Sequence, residues 1–338
     1  MAITGVKSVV YGVEDLDKCV RFYEDFGLPL ADRSEASALF RLEEGSTVEI
    51  RKIDDPSLPA AHFEGSNIRE VIWGVDSREH LAQLIQAVGR DREVTVDADG
   101  VAHFIDPAGY GVGLALYERR PVLNAPELPN AASAIARLNR HRKWRKRARP
   151  KTINHVVFVV DDAVETTRFY RERLGFRLSD VSRGVGYFLR AAGSNEHHSL
   201  FLLQHGSMPN HPRAEPDHIC FGVEDIDELM IGGNYMEQRG WKRAIGPGRH
   251  RIASALFFYL EAPCGGQVEY GADTDYLDDS WVPMEWDPMF GYIDWMSDRP
   301  SYFSMEKPWD VRFLEHDETA PKTVSGAPRA PSRPESKQ

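Results

Sequence analysis

Four short runs of β-branched and aromatic residues punctuate the chain, each followed by a polar step and then by apolar positions at helical spacing. Ser8-Val9-Val10-Tyr11-Gly12-Val13 leads through Glu14-Asp15 to Arg21-Phe22-Tyr23 and Gly27. His155-Val156-Val157-Phe158-Val159-Val160 leads through Asp161-Asp162 to Arg168-Phe169-Tyr170 and Gly175, the same pattern 147 positions later. Such runs predict strands, the acidic pairs predict helix N-termini, and the glycines predict helix stops. Phe22 and Phe169 fall on the buried helix face, which makes the repeated Arg-Phe-Tyr a structural element. A weaker repeat lies within each half. Glu70–Asp76 leads to Leu81, and His218–Glu224 leads to Leu229. Each half ends in two further strands, over 102–105 and 111–116 in one and 256–260 and 267–270 in the other. The pattern predicts an α+β fold of two domains, each built from two paired βαβββ modules that form a curled, barrel-like mixed sheet.

The expected boundaries are residues 1–118 for the first domain and 151–273 for the second. Residues 119–150 read as a linker, first Pro-rich and then basic; nine Lys/Arg and no acid fall within 137–151. Its bland reading is a solvated linker or an intersubunit salt contact, which the near absence of interleaved aromatics favours over a polyanion site. Residues 274–318 are dense in aromatics, including Trp281, Trp286, Tyr292 and Trp295, and read either as a lid over a substrate mouth or as packing on the second domain. Residues 319–338, rich in Pro, Ser and Ala, read as a disordered tail.

Composition narrows the function classes. The net charge of -11 disfavours nucleic-acid partners, and no apolar run approaches the roughly 18 residues that cross a bilayer. Three cysteines without a CxxC, and no secretory leader, point to a reducing cytoplasmic setting. An edge-rich sheet and a basic linker make a homo-oligomer the expected state. P-loop, dinucleotide-fingerprint, HExxH and nucleophile-elbow motifs are absent.

The two copies differ where chemistry would sit. Matching positions hold His155, His218 and Glu269 in the second half against Ser8, Glu70 and Gly113 in the first. Seven of the twelve histidines fall between 155 and 250. Two imidazoles and one carboxylate on one face suit non-haem Fe(II) and leave the opposite positions open. Strand alternation puts Val157 on the face of His155 and Cys220 on that of His218, with Phe158 and Phe221 turned away.

Gly248-Arg249-His250, seven residues, Phe258-Tyr259-Leu260-Glu261-Ala262-Pro263-Cys264-Gly265 and then Glu269 resemble the signature of type I extradiol catechol dioxygenases of the vicinal oxygen chelate (glyoxalase/bleomycin resistance/dioxygenase) superfamily. The stretch Gly246–His250 is most similar to the homoprotocatechuate 2,3-dioxygenase branch, and the overall likeness spans about residues 3–273. The resemblance implies that His155, His218 and Glu269 bind Fe(II), with Mn(II) as the other candidate. It implies that His250 and Tyr259 hydrogen-bond a catecholic substrate, and that His198 is the acid/base group beside O2, with His197 as the fallback. The implied activity is meta cleavage in aromatic catabolism, with both oxygen atoms entering the product. Two other readings stay open: an O2-independent metal-dependent isomerase or hydrolase of the same superfamily, and a non-catalytic protein that binds an aromatic ligand. Ala262, Cys264 and Ile252-Ala253 depart from the family pattern and put the substrate in question. Arg249 and Arg251 are candidates to hold a substrate carboxylate.

Overall fold

A computed structural model describes residues 3–60, 63–208, 213–299 and 311–314. The terminal segment 319–338, His211 and His316, and Tyr302, Phe303 and Trp309 of the aromatic stretch lie outside the described residues.

The first half runs β1 (Ile3–Val13), α1 (Leu16–Phe26), β2 (Leu30–Arg33), β3 (Ser37–Arg41), β4 (Thr47–Lys52), β5 (Asn67–Val75), α2 (Arg78–Val88), β6 (Thr95–Val96), β7 (Ala102–Ile105) and β8 (Gly111–Leu116). The second runs β9 (Thr152–Val160), α3 (Ala163–Glu172), β10 (Arg177–Ser182), β11 (Gly186–Arg190), β12 (Leu200–Gln204), β13 (Glu215–Gly222), α4 (Ile226–Gln238), β14 (Arg243–Arg249), a 3-10 turn (Ile252–Ser254), β15 (Leu256–Glu261) and β16 (Gln267–Ala272). Beyond it come β17 (Met284–Trp286), α5 (Pro288–Gly291), β18 (Trp295–Met296) and β19 (Val311–Phe313). The fold is mixed α+β in two sheets, in the order β2-β3-β4-β1-β5-β8-β7-β6 and β18-β14-β15-β16-β13-β9-β12-β11-β10-β17-β19. Both are open sheets rather than closed barrels. The last segment adds strands to both edges of the second sheet, β17 beside β10 and β18 beside β14.

The helix starts follow the acidic pairs. Asp15 and Asp162 accept from the backbone N–H groups of Lys18 and Glu165, respectively. Gly27 ends α1 in the left-handed region at φ 103°, as only glycine does without strain. In the second copy the helix stops sooner, at Arg173 in a right-handed conformation, and Gly175 takes its positive φ two residues later. The two helices thus differ in length by one residue.

Aromatic side chains of α1, α3 and the neighbouring strands pack between the halves. Phe26 of α1 stacks on Tyr270 of β16 with ring centroids 4.0 Å apart, and Tyr270 donates to the Phe26 carbonyl at 2.7 Å. Reciprocally, Tyr170 of α3 donates to Asp106 at 3.1 Å, and Tyr110 stacks on Phe158 at 4.1 Å. One apolar cluster therefore runs through both halves. A buried charge network joins them too. The Arg119 guanidinium donates to Glu44 at 2.5 Å and to Glu196 at 3.0 Å, and the Ile153 N–H donates to Glu44 at 2.6 Å. Burial pushes both carboxyls up, and Arg119 pulls each back toward its charged form.

The basic linker finds its counter-charges within the chain. Arg145 pairs with Glu224 at 2.5 Å and Asp225 at 3.0 Å, Lys143 with Glu224 at 3.0 Å, and Arg142 with Asp227. These carboxylates cluster at the N-terminus of α4, so part of the linker's charge is met within the chain.

In the first sheet the positions matching the second-half histidines hold a polar cluster. Ladder register aligns Ser8, Ile72, Gly113 and His103 in one lateral row, with Glu70 two residues from Ile72 along β5. His103 donates to Glu70 at 2.7 Å and to Asp97 at 3.2 Å. The hydrogen bond to Glu70, against a smaller cost of burial, raises the imidazole to about 9.

Two outcomes follow. A folded-state value of about 9 against about 6.5 in the unfolded chain means that the His103 contribution is complete below pH 6.5 and lost as pH rises through 9. Thermal melts should show the wild type losing its advantage over His103→Gln across that window; parallel pH profiles would contradict this. Arg119→Met should cost about 3–5 kcal/mol in denaturant unfolding, because it strands two carboxylates between the halves; a loss under about 1 kcal/mol would show that the pair contributes little.

Candidate metal centre

The site is a row across four neighbouring strands. His155 of β9 lies opposite Cys220 of β13, Cys220 opposite Glu269 of β16, and Glu269 opposite Tyr259 of β15. His218 stands two residues from Cys220 on the same face of β13. The structure brings the three sequence candidates together: the Nε2 atoms of His155 and His218 are 3.2 Å apart, and each is 3.3 Å from Glu269 Oε2. Val157 and Tyr259 line the same cavity, whereas Phe158 and Phe221 turn into the main core.

This arrangement matches the demands of a cation. Glu269 Oε2 is buried and has no hydrogen-bond partner. Burial pushes its carboxyl up, but the adjacent His155 and His218 imidazoles outweigh that and hold it well below the ordinary carboxylate range. Burial lowers His155. His218 feels the same burial, but Asp217 and Glu269 outweigh it and raise the imidazole to about 9. Asp217 Oδ2 lies 2.5 Å from His218 Nδ1, which fixes that ring with Nε2 toward Glu269. Two imidazole nitrogens and a carboxylate oxygen form a donor set suited to a divalent first-row metal such as Fe(II) or Mn(II). Cys220 makes room for the carboxylate. In the first half the equivalent Ile72 would lie 2.8 Å from a Cβ placed at Gly113, so no acid fits there.

The other candidates surround this triad. His198 lines the cavity, with its ring centroid 4.1 Å from that of His155. His197 does not line the cavity; it is fully buried behind His198, with Nδ1 atoms 3.1 Å apart. His250 stacks on Phe257 at 4.2 Å, directs Nδ1 at the Tyr292 carbonyl, and places Nε2 3.4 Å from the Tyr259 hydroxyl. Burial lowers His250, pushes Tyr259 well up, and drives His198 well down.

Spacing alone did not expose Asp217, Asp180 or Tyr292. Asp217 stands directly before His218, and that adjacency was the available signal. Asp180 and Tyr292 come from an edge strand and the aromatic segment and carry no motif. Arg249 and Arg251 are committed elsewhere, Arg249 to Asp273 at 2.8 Å and Arg251 to the Phe290 and Ile293 carbonyls at 2.7 and 2.6 Å. They do not serve as carboxylate holders.

Residues 152–270 match the model of the Glyoxalase/Bleomycin resistance protein/Dioxygenase superfamily. Metapyrocatechase 2 of Cupriavidus necator is 27% identical over 305 residues, covering 89% of this chain and 92% of that protein. The second half of the chain therefore carries a domain of that superfamily. Solved structures share its fold. A Mn(II)-bound glyoxalase from Novosphingobium aromaticivorans superposes with a TM-score of 0.68 at 21% identity, covering 91% of this chain and 97% of that one. A halotolerant catechol dioxygenase superposes at 0.69 and 20% identity, covering 92% and 99%. The triad sits on the second of two related sheets.

Glu269→Gln keeps the shape and removes the charge. It should reduce iron bound per chain by at least about 10-fold in elemental analysis after anaerobic loading, with unchanged circular dichroism. Full iron occupancy in that variant would remove Glu269 from the centre.

Proposed function

We propose that the protein is an extradiol dioxygenase that opens the ring of a catechol bearing an uncharged apolar substituent, and that His155, His218 and Glu269 hold its Fe(II). The observation that carries the reading is the buried triad, open on one side to a cavity of about 530 Å³. Bound there, Fe(II) would supply a Lewis acid that eases ionisation of a diol hydroxyl, together with a redox partner for O2.

The chain's own groups do the rest. The His250 Nδ1–H donates to the Tyr292 carbonyl, which leaves Nε2 as an acceptor beside the Tyr259 hydroxyl. That pair can take or return a hydroxyl proton and orient the diol. His198, on the other side of His155, is placed to move a proton at the oxygen end of the reaction. The C–C bond cleaved is the one next to the diol, and both oxygen atoms stay in the ring-opened product.

The apolar part of the lining sets the substituent. Val157, Phe188, Phe201, Leu203, Ile252 and Ile293 make it apolar. Its charged members are already paired: Arg243 binds Asp298 at 3.0 Å and Glu237 at 3.3 Å, and Asp217 binds His218. A substrate carboxylate would be buried there without a counter-charge. Three free, buried thiols fit the reducing cytoplasmic setting that we propose for the enzyme.

The test is to load the protein anaerobically with Fe(II), add catechols with apolar or carboxylate side groups, and follow O2 uptake with the yellow ring-fission product. Apolar-substituted catechols should show kcat/KM at least about 10-fold above carboxylate-bearing ones. Equal rates would overturn the assigned substituent. No O2 uptake with any diol by the iron-loaded protein would overturn the dioxygenase reading in favour of an O2-independent enzyme of the superfamily.

A further inference from the structure

Behind His198 lies a buried chain of polar groups that the reaction as described does not use. Asp180 of β10 and His197 are both almost fully buried, with relative side-chain exposures of 1% and 1%. Asp180 Oδ1 accepts from the Met284 N–H at 2.8 Å, and Oδ2 accepts from the Trp286 indole N–H at 2.9 Å. Those two groups can only donate, so both oxygens of Asp180 act as acceptors. His197 Nε2, 3.1 Å from Oδ2, is therefore the protonated nitrogen of its ring. A neutral His197 then has a bare Nδ1, which faces His198 Nδ1 at 3.1 Å. A hydrogen bond across that gap requires the proton to sit on His198 Nδ1. His198 is left with a bare Nε2 on the ring that lines the cavity.

The segment carrying both histidines is pinned independently. The His197 backbone N–H donates to the Asp275 carbonyl at 2.9 Å, and neighbouring Glu196 is tied to Arg119. His197 is thus held to face both of its partners rather than free to turn away.

We infer that Asp180 and His197 are positioning residues that act through His198, fixing its tautomer so that an unprotonated Nε2 faces the diol and O2. The inference rests on the dioxygenase reading for its kinetic consequence but not for the tautomer itself. The aromatic segment takes part, because the Trp286 and Met284 donors keep Asp180 in its accepting role.

The closing experiment has a spectroscopic and a kinetic arm. In the Zn(II)-loaded, diamagnetic protein, nitrogen-15 NMR of the histidines, assigned against His198→Phe, should show His198 protonated at Nδ1. In His197→Phe the signal should change to the Nε2-protonated form. A wild-type His198 protonated at Nε2 overturns the inference whatever the enzyme's activity. In ring-cleavage assays His197→Phe should lower kcat at least about 10-fold with KM for the diol and iron content little changed. His197→Gln, whose amide can donate to Asp180 and accept from His198, should recover most of that loss. The double variant His197→Phe/His198→Phe should be no slower than His198→Phe alone. If His197 were only packing, Phe would match or outperform Gln and the losses would add; either result overturns the inference. A wild type without ring cleavage but with the Nδ1 tautomer would sink the dioxygenase reading and leave the positioning intact.

Discussion

Two imidazole nitrogens and a carboxylate oxygen meet within 3.3 Å of one another inside the second sheet, and the carboxylate oxygen has no hydrogen bond. Such a cluster is costly in a low-dielectric interior unless a cation balances it. Much of the surrounding structure serves that one constraint. The parallel pairing of β13 with β16 and the antiparallel pairing of β13 with β9 put the ligands in adjacent positions. Cys220 keeps the central strand thin enough for the Glu269 side chain, and Asp217 fixes the His218 ring.

The duplicated scaffold explains how this can exist once in a chain that contains the framework twice. The two halves share strand order, register and helix starts, and their helices pack reciprocally across the boundary. The lateral row, however, reads His155, Cys220, Glu269 and Tyr259 in one sheet and Ser8, Ile72, Gly113 and His103 in the other. Bulk at Ile72 excludes the acid, and His103 takes up the charge of Glu70. The first half holds an ion cluster at the matching positions, and the second a cavity beside the triad. The first half still bears on the site, because Glu44 holds Arg119, which anchors Glu196 next to His197 and His198.

The repeated modules and the three ligand candidates were legible because both are written in periodicities. Strand alternation decides which face His155 and His218 share, and the repeat offset says which positions correspond. The expected roles of His250 and Tyr259 came from a resembling signature of fixed spacing, and that of His198 from the wider resemblance. What stayed hidden involves partners distant in sequence. Nothing near Asp180 announces that Trp286 will bond it, and nothing near Arg251 announces that carbonyls of the aromatic segment will take up its guanidinium. The linker's charge was visible, but its partners at the start of α4 were not.

The central claim is that one reduced iron sits among His155, His218 and Glu269 and nowhere in the first sheet. Anomalous diffraction at the iron edge, from crystals grown without oxygen in Fe(II), addresses it directly. One peak per chain, within coordination distance of those three side chains and open on the cavity side, is the expected map. A peak at the Glu70–His103 cluster, or an iron closed off by further protein ligands, would contradict the account.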